Sequence, residues 1–307
     1  DKGRKQLIEI NVFFDEVALM PESFVNQATG RCSEPGSKFW FNCNPQGPSH
    51  WFKQIWIDEA KKGNNNLIYL HFTMNDNLSL TEEIKQRYLS MYSGVFFSRY
   101  IEGEWCVAEG QIYTGFDKER HVWNRDQLEE YLKVNSIAFL TIGVDFGGSA
   151  SASVFTLVAF TKNYKKCIVL GEYYDQDNFS ADHLKEAWIK YAGMWKKMYP
   201  KLSAAFMDSA EQLLIKSFRQ ATPQVACRNA RKSEISDRIT ATVQLMSTDK
   251  LVIMENCKNL IKAFESAVWD ERYPDDLVRL DDGTVNIDSL DAFEYATEQY
   301  YRDLLRI

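Results

Sequence analysis

The sequence predicts an α/β protein of two domains, in which a parallel sheet is followed by a mixed sheet and both are flanked by helices. The 307 residues give room for two domains, and 45% of them are apolar, as in globular proteins. Between residues 7 and 105, strand-like segments alternate with helix-like segments, which is typical of a parallel sheet. Between residues 137 and 174, three strand-like segments follow one another without a helix, which indicates an antiparallel meander.

The first half is predicted from apolar runs and helix-end signals. Strands are expected at LIEINVFF, KFWFNCN and NLIYLHFTM, and helices at PESFVNQATG, SHWFKQIWIDEAKKG and SLTEEIKQRYLSMY. Pro21 suits the first turn of the first helix, and Ser49 is the candidate cap of the second. Thr81 or Ser79 is the candidate cap of the third. These alternating elements predict one layered α/β domain.

The second half begins after a mixed stretch, and we place the boundary near Gly110. Strands are expected at IAFLTIGVDF, SVFTLVAFTK, KKCIVLGEYY, LSAAFMD, QVACRNA and KLVIM. Helices are expected at SADHLKEAWIKYAGMWKKMY, SAEQLLIKSFRQA, SEISDRITATVQLMST, NLIKAFESAVWD and DSLDAFEYATEQYYRDLL. The acidic stretch 270–282 is expected to form an exposed loop or hairpin. The order of these elements predicts a mixed sheet with helices around it.

Composition excludes several classes of protein. No apolar run reaches the roughly 18 residues of a membrane span, and the opening DKGRKQLIEI lacks a signal peptide, so we expect a soluble intracellular protein. The six cysteines and four histidines form no zinc-type spacing. A net charge of −7 argues against a protein that coats DNA non-specifically, but it permits a nuclease with local basic residues. The basic run from Lys216 to Arg238 has two interpretations, a solvated helix face or a phosphate contact.

Three aspartates are candidate functional residues, although each also has a local explanation. Asp145 ends a strand before two glycines, which is also typical of a turn. Asp208 ends a later strand, where it or Ser209 would cap the next helix. Asp291 lies in the last helix, where the spacing from Asp288 also suits a cap followed by a first-turn acid. Singly, none of these positions decides between structure and function.

The three aspartates are more informative as a set. A three-stranded meander, a helix, a strand and further helices follow the order of an RNase H-like core, in which acids at these three places converge. Clustered carboxylates suit Mg²⁺ or Mn²⁺, which prefer oxygen ligands. Two such ions about 4 Å apart support phosphodiester cleavage. Three crowded carboxylates would repel one another without a cation, so the set predicts a metal site.

The first half carries a further series of motifs. The segment NVFFDEVALMP is an apolar strand that ends in Asp15-Glu16, and FWFNCNPQGPSHWF, HFTMNDN and RYIEGEWCVAEGQIY follow in that order. This series resembles the large terminase subunit of tailed bacteriophages, with Asp15 and Glu16 as a Walker B-like element. GVDFGG, AFMDSAE and DSLDAFEYA are similar to the acidic motifs of the family's nuclease. The resemblance covers the chain from about residue 7 to residue 305.

The resemblance implies a phage or prophage DNA-packaging protein that acts in the cytoplasm of the bacterial host. Residues 1–109 would be the C-terminal part of a P-loop ATPase-like domain, and residues 110–307 an RNase H-like nuclease domain. The nuclease would be a two-metal-ion endonuclease that cuts concatemeric double-stranded DNA. The small terminase subunit and the portal protein would be its partners, with no role for a membrane.

Metal-dependent phosphodiester hydrolysis is our hypothesis for this nuclease, and it gives roles to individual residues. Asp145 would bridge two Mg²⁺ or Mn²⁺ ions, and Asp208 and Asp291 would each complete one ion site. Lys232 or Arg231 is the candidate contact to the scissile phosphate. Asp288, one helical turn before Asp291, would support the metal ligands, serve as an alternative ligand, or cap the helix.

One part of the family's pattern is missing from these 307 residues. They contain no G-x-x-x-x-G-K-[ST] phosphate loop, which precedes Walker B in the family. We therefore expect the chain alone not to hydrolyse ATP, which would be a cofactor only if the Walker A region were supplied. The remaining half-sheet is also expected to expose an edge.

Three other functions fit parts of the sequence. IGVDFGGS also resembles the first phosphate loop of actin-like sugar kinases, but a second glycine-rich phosphate loop is missing. A non-catalytic packaging remnant would retain the motifs without needing to bind metal. An RNase H-like recombinase or resolvase would not require the Walker B region. Metal binding at the three aspartates separates the nuclease from the remnant.

Overall fold

The computed structural model describes residues 11–64, 66–148, 151–177, 180–273, 275–281 and 286–306. The strands are β1 (Asn11–Phe14), β2 (Lys38–Phe41), β3 (Val122–Trp123), β4 (Ile137–Asp145), β5 (Ser153–Thr161), β6 (Cys167–Asp175), β7 (Leu202–Met207), β8 (Ala226–Asn229) and β9 (Leu251–Met254). The α-helices are α1 (Glu22–Gly30), α2 (Asp58–Lys61), α3 (Glu82–Met91), α4 (Gly94–Tyr100), α5 (Lys118–His121), α6 (Arg125–Val134), α7 (Ala181–Met198), α8 (Gln212–Ala221), α9 (Ile235–Ser247), α10 (Lys258–Ser266), α11 (Asp288–Thr297) and α12 (Tyr301–Leu304). The predicted α/β class, a parallel sheet followed by a mixed sheet, is confirmed.

The chain folds into two compact units. The first comprises the described residues within 1–89, 95–108 and 273–276. The second comprises those within 90–94, 109–272 and 277–307. The short segment 273–276 belongs to the first unit, where Asp275 accepts a hydrogen bond from the Ser49 amide at 3.0 Å and from Arg99 at 3.4 Å.

The first unit contains a two-stranded parallel sheet. Strands β1 and β2 pair in register from Asn11 with Lys38 to Phe14 with Phe41. Residues 7–10 of the predicted first strand lie outside the described residues. The rings of Phe14 and Phe41 stack with their centroids 5.0 Å apart. A small core forms around this pair because apolar side chains from the following helical segments cover the sheet, namely Val17, Val25, Phe52 and Ile57.

The predicted third strand, NLIYLHFTM, is wrong. Within residues 66–74, Ile68, Leu70 and Phe72 alternate as a strand would require, but their side chains are 88%, 66% and 70% exposed. No strand pairs with this segment among the residues that the structure describes. An extended backbone gains its stability from ladder hydrogen bonds, so the alternation alone does not produce a strand.

Two predicted helix starts in the first unit have opposite outcomes. The Thr81 hydroxyl accepts a hydrogen bond from the Ile84 amide at 3.3 Å, which confirms Thr81 as the cap of α3. The cap at Ser49 is wrong, because the Ser49 amide is bound by the Asp275 carboxylate and the helical segment begins at residue 51. That segment contains a π-helical stretch, Lys53–Ile57, before α2.

The second unit is built on a seven-stranded mixed sheet with the order β3-β9-β6-β5-β4-β7-β8. Strand β5 is antiparallel to β4 and to β6, so the predicted meander is confirmed. Strand β7 returns parallel to β4, and β8 pairs parallel with β7. On the other side of the meander, β9 pairs parallel with β6 and with β3. Along the chain, the meander is followed by a helix, a strand and further helices, which is the order of elements that the sequence predicts.

Helices α7 and α8 pack against the centre of the sheet through a shared aromatic cluster. Trp188 of α7 stacks on Phe218 of α8 with ring centroids 5.1 Å apart, and both meet Phe155 of β5 edge to face. Trp188 also donates a hydrogen bond to the Thr222 hydroxyl at 2.7 Å, which satisfies its buried N–H. These contacts hold the two helices against the meander.

Two predicted helices of the second unit are too long. The segment NLIKAFESAVWD leaves the helix after Ser266, because Val268 and Trp269 form bridges with Gln111 and Arg279. The last predicted helix is interrupted by a 3₁₀ turn, Glu298–Tyr300, between α11 and α12. The expected hairpin in the acidic stretch is present where it is described, since the Asp270 amide donates to the Val278 carbonyl at 2.9 Å. Its predicted exposure is wrong for Asp270 and Arg279, which are both buried.

No helix among the residues that the structure describes combines the length and the apolar character needed to cross a membrane.

Candidate active site

Two of the three predicted aspartates lie at the same edge of the second sheet. Asp145 is the last residue of β4 and is buried, while Asp208 directly follows β7. The two strands are parallel neighbours, with Val144 opposite Met207. The Asp208 amide continues this ladder by donating to the Val144 carbonyl at 3.0 Å. Adjacent parallel strands therefore deliver both carboxylates to one edge.

Helix α11 brings Asp291 to these strands by an unusually close approach of backbone to backbone. A Cβ added at Gly143 of β4 would lie 1.7 Å from the Ala292 carbonyl oxygen, so only glycine permits this contact. Two residues earlier, the Thr141 hydroxyl donates a hydrogen bond to the Ala296 carbonyl at 2.8 Å. Ala292, the residue after Asp291, therefore contacts β4, the strand that ends in Asp145.

The electrostatics of Asp145 reflect this convergence. Burial, and after it the negative charges of Asp291, Asp288 and Asp208, raises the pKa of Asp145 well above its usual value. The Lys232 ammonium acts in the opposite direction and lowers that pKa. Asp208 and Asp291 therefore both lie near enough to Asp145 for their charges to act on it, which individual turn and cap explanations do not require.

Lys232 is paired with Asp208. Its ammonium donates to Asp208 Oδ1 at 2.9 Å, and the side chains of Lys232 and Asp208 are 40% and 17% exposed. Asp208 does not cap α8, because its carboxylate accepts from the Ala210 amide in a turn and the helix starts at Gln212 without a side-chain cap. Arg231, the other candidate, is exposed one residue earlier.

A buried glutamate fixes the backbone of Lys232. Lys232 has a left-handed φ of 51°, which is uncommon for a residue with a Cβ. The Glu298 carboxylate accepts from the Lys232 amide at 2.7 Å and from the amide and hydroxyl of Ser233, both at 3.2 Å. Three donors on one carboxylate hold this turn, and the turn directs the lysine toward Asp208.

Asp288 does not cap α11. It is the first residue of the helix, and its Oδ2 accepts a hydrogen bond from the Ala152 amide at 2.7 Å. Burial raises the pKa of Asp288, the Ala152 amide lowers it, and the charges of Asp291 and Asp281 raise it further. Asp288 therefore ties the start of β5 to the helix that carries Asp291.

The structure also reveals charged residues that the sequence did not identify as part of the site. Arg238 and Arg279 each donate to Asp291 Oδ1, at 2.8 Å and 2.6 Å, and both also bind the Glu294 carboxylate. Glu294 is fully buried and Arg279 is 1% exposed. Arg238 belongs to the basic run that suggested a solvated face or a phosphate contact, and both interpretations are wrong for this residue. The available signal was the spacing of Asp291 and Glu294, one turn apart on the same helix.

The carboxylate oxygens at this edge are the kind of donor that hard cations prefer. The acids are Asp145, Asp208, Asp288, Asp291, Glu294 and Glu298, and the cations are Lys232, Arg238 and Arg279. If every group is ionised, the net charge is −3, carried by oxygen donors that suit Mg²⁺ or Mn²⁺. Among the described residues, no group of three or more His, Cys, Asp or Glu side chains is arranged so that it could hold a metal ion as it stands. Amino and guanidinium groups instead pair with Asp208 and Asp291.

The acidic strand end of the first unit has a different environment. Asp15 and Glu16 follow β1 and are both exposed. The Glu16 amide donates to Asn42 Oδ1 at 2.7 Å, and the Asn42 amide returns a bond to the Phe14 carbonyl at 3.1 Å. The segment FNCNP therefore contacts the Asp15-Glu16 turn through its backbone and its asparagine.

Comparison with known proteins gives one consistent relationship. Residues 10–98 match the family model described as phage terminase large subunit. The structure of the large terminase from a thermophilic bacteriophage is 33% identical, with a TM-score of 0.79 over 94% of this chain and 68% of that one. The same thermophilic phage protein in complex with ATP-γ-S is 32% identical, with a TM-score of 0.77 over 94% of this chain and 70% of that chain.

A curated protein is also similar. The terminase large subunit of Escherichia phage T5 is 26% identical over 269 residues, which make up 84% of this chain. The chain spans 58% of the length of that relative.

Proposed function

We propose, from the premise that the chain belongs to the phage large terminase family, that its second unit is a divalent-metal-dependent endonuclease. Its substrate would be concatemeric double-stranded DNA, cut during DNA packaging. Residues 1–109 would be the C-terminal part of the ATPase-like domain, and residues 110–307 the nuclease domain.

The observation that carries this proposal is the convergence of Asp145, Asp208 and Asp291. Three separate elements supply them, and the Gly143 contact with α11 is needed to bring the third close to the first. The negative charges of Asp208, Asp288 and Asp291 raise the pKa of the buried Asp145 carboxyl group and oppose its ionisation. A divalent cation would compensate this repulsion, and that requirement supports a metal site over a purely structural role.

Asp145, Asp208 and Asp291 would hold the metal, as two Mg²⁺ or two Mn²⁺ ions. When bound, such ions activate the attacking water and stabilise the leaving oxygen of a phosphodiester. Asp145 would supply the central carboxylate because it is the most buried of the three. Asp208 and Asp291 would complete the oxygen ligands from the two sides.

Lys232 would contact the scissile phosphate. Its ammonium is half-exposed and already lies at the acidic edge, 2.9 Å from Asp208 Oδ1. A cation on Asp208 would take over the neutralisation of this carboxylate, leaving the ammonium to pair with a phosphate oxygen. Arg231 lies on the same turn and would add a weaker backbone contact.

ATP, the small terminase subunit and the portal protein belong to the whole packaging machine. The 307 residues contain no phosphate loop, so we expect no ATP turnover by this chain alone. Measurable ATP hydrolysis by the purified chain would contradict that expectation. The Asp15-Glu16 turn would serve ATP only when a Walker A region is supplied. The host cytoplasm, where phage DNA is packaged, would be the place of action.

Plasmid cleavage by the purified chain tests the proposal. We expect relaxation and linearisation in Mg²⁺ or Mn²⁺, none in EDTA, and none by the Asp145→Ala variant. Asp126→Asn, which changes an exposed acid in the first turn of α6, is the matched control and should cut like the unaltered chain. A folded protein that neither cuts DNA nor binds Mn²⁺ would reject the nuclease in favour of a non-catalytic packaging component.

A further inference from the structure

Asp291 is held by two arginines through a single oxygen. Arg238 Nη1 and Arg279 Nη2 both donate to Asp291 Oδ1, at 2.8 Å and 2.6 Å. A carboxylate oxygen has two lone pairs, so these two donors occupy that oxygen. No hydrogen bond to Asp291 Oδ2 is found within the described part of the chain.

The arginines are themselves fixed by a second carboxylate. Arg238 Nη1 donates to Glu294 Oε2 at 2.7 Å, and Arg279 Nη1 donates to Glu294 Oε1 at 2.8 Å. Burial lowers the pKa of Arg279, but Glu294 and Asp291 outweigh it and raise the pKa above its usual value. The two arginines and two acids therefore form a buried network whose charges cancel.

Both arginines are anchored independently of Asp291. Arg238 Nε donates to the Ser233 carbonyl at 3.1 Å, directly beside the turn that carries Lys232. Arg279 lies in a bridge with Trp269, on a different segment of the chain. Two unrelated segments thus reach the same carboxylate oxygen, which fixes both the position and the rotation of the Asp291 carboxylate.

We propose that Arg238, Arg279 and Glu294 are positioning residues that orient Asp291 so that Oδ2 alone is presented to the catalytic cation, a role that rests on the proposed nuclease function. Arginine suits this role better than lysine because its planar fork binds two acceptors at once in a fixed geometry. The neutral network fixes the ligand without adding net charge to the site. Partners of this kind orient ligands and tune metal affinity by about 10- to 100-fold in other proteins.

A structural role is the alternative, since a buried ion network would also join α9, α11 and the hairpin around Arg279. The substitutions Arg238→Lys and Arg279→Lys separate the two roles because they retain the positive charge and remove the fork. Arg120→Lys is the control, because Arg120 also makes two hydrogen bonds to a carboxylate, from Nε and Nη2 to Asp249 Oδ1, but on the surface and away from the site.

The experiment measures Mn²⁺ binding to the full metal-free chain by isothermal titration calorimetry, with the melting temperature recorded for each variant. We expect Arg238→Lys and Arg279→Lys each to weaken Mn²⁺ binding about 10-fold. Arg120→Lys should stay within about twofold of the unaltered chain. Plasmid cleavage by the two site variants should shift to higher Mn²⁺ and recover at saturation, since the ligands themselves remain.

Folded site variants with unchanged Mn²⁺ affinity would overturn the positioning role. If the lysine variants fail to fold, Glu294→Gln decides, because it leaves one uncompensated positive charge beside Asp291. That change should weaken Mn²⁺ binding severalfold, and unchanged affinity would again overturn the role. Absence of Mn²⁺ binding and of cleavage by the unaltered chain would reject the proposed nuclease itself, a result distinct from failure of the variants alone.

Discussion

Two strand ends of this protein have nearly the same sequence pattern and very different surroundings. NVFFDE in the first unit and TIGVDFGG in the second both run from an apolar strand into an aspartate. Asp15 is exposed at the end of a two-stranded sheet. Asp145 is buried at the C-terminal end of β4, an interior strand of a seven-stranded sheet. Further aspartates and a lysine there shift its pKa. The difference teaches that the residues around an acidic strand end, more than the motif itself, determine its chemistry.

The largest expected effect is on plasmid cleavage, which should depend on the strand end at Asp145 and not on the strand end at Asp15. Asp145→Asn should reduce Mn²⁺-dependent plasmid cleavage at least about 100-fold, because it removes the central ligand charge. Asp15→Asn should leave cleavage within about twofold of the unaltered chain. Rates from matched protein concentrations measure both. Equal losses in the two variants would remove the distinction between the regions.

The next effect concerns the buried ion network of Arg238, Arg279, Asp291 and Glu294. Among the described residues, the strand end at Asp15 has no such network. Arg279→Met should lower the free energy of unfolding by about 3–5 kcal/mol, because it leaves the fully buried Glu294 short of a partner. Arg120→Met, which breaks a surface pair with Asp249, should cost no more than about 1 kcal/mol. Urea denaturation measures both values. Similar small costs would mean that the buried network does not support the second strand end.

Close packing beneath Asp145 gives a smaller effect. Gly143→Ala should cost about 1–3 kcal/mol, because the new methyl group would meet the Ala292 carbonyl and force α11 away from β4. Gly193→Ala in α7 is the control, since a Cβ there meets no atom within 4 Å. It should stabilise the protein by about 0.5–1 kcal/mol through helix propensity. A Gly143→Ala variant of unaltered stability would contradict the close approach.

The pH dependence of the second strand end gives the smallest effect. Burial and neighbouring acids raise the pKa of Asp145, so its contribution to stability is present at low pH and is lost as the pH rises through the raised value. Without metal, Asp145→Asn should therefore match the unaltered chain near pH ~4 and melt on the order of 2–4 °C higher near pH ~8. Saturating Mn²⁺ should reverse this order at the higher pH. Parallel melting curves across the pH range would contradict a strained carboxylate.

The regular parts of the second unit could be predicted from the sequence, because local signals and topology agree there. The strand-like segments around Asp145 and Asp208 appear where their apolar runs predict them. Adjacent parallel strands then require both acids to emerge at one edge. Local signals failed where tertiary contacts decide. The alternating residues 66–74 have no strand to pair with in the described part of the chain, and Asp288 binds the Ala152 amide instead of capping its helix.

The support of the site could not be predicted from the sequence. Arg238 and Arg279 come from separate parts of the chain, and only the folded structure brings them to Asp291 and Glu294 of α11. Glu298 lies in a turn that interrupts a predicted continuous helix, and it holds Lys232 from there. These contacts depend on long-range packing, which composition and periodicity do not encode locally.

Anomalous scattering from a crystal of the chain soaked in Mn²⁺ tests the central claim most directly. We expect Mn²⁺ peaks among Asp145, Asp208 and Asp291, with Oδ2 of Asp291 facing the ion and the Lys232 ammonium released from Asp208. A well-ordered acidic edge without a peak, or Mn²⁺ bound instead at Asp15 and Glu16, would contradict the assignment of the nuclease centre to the second unit.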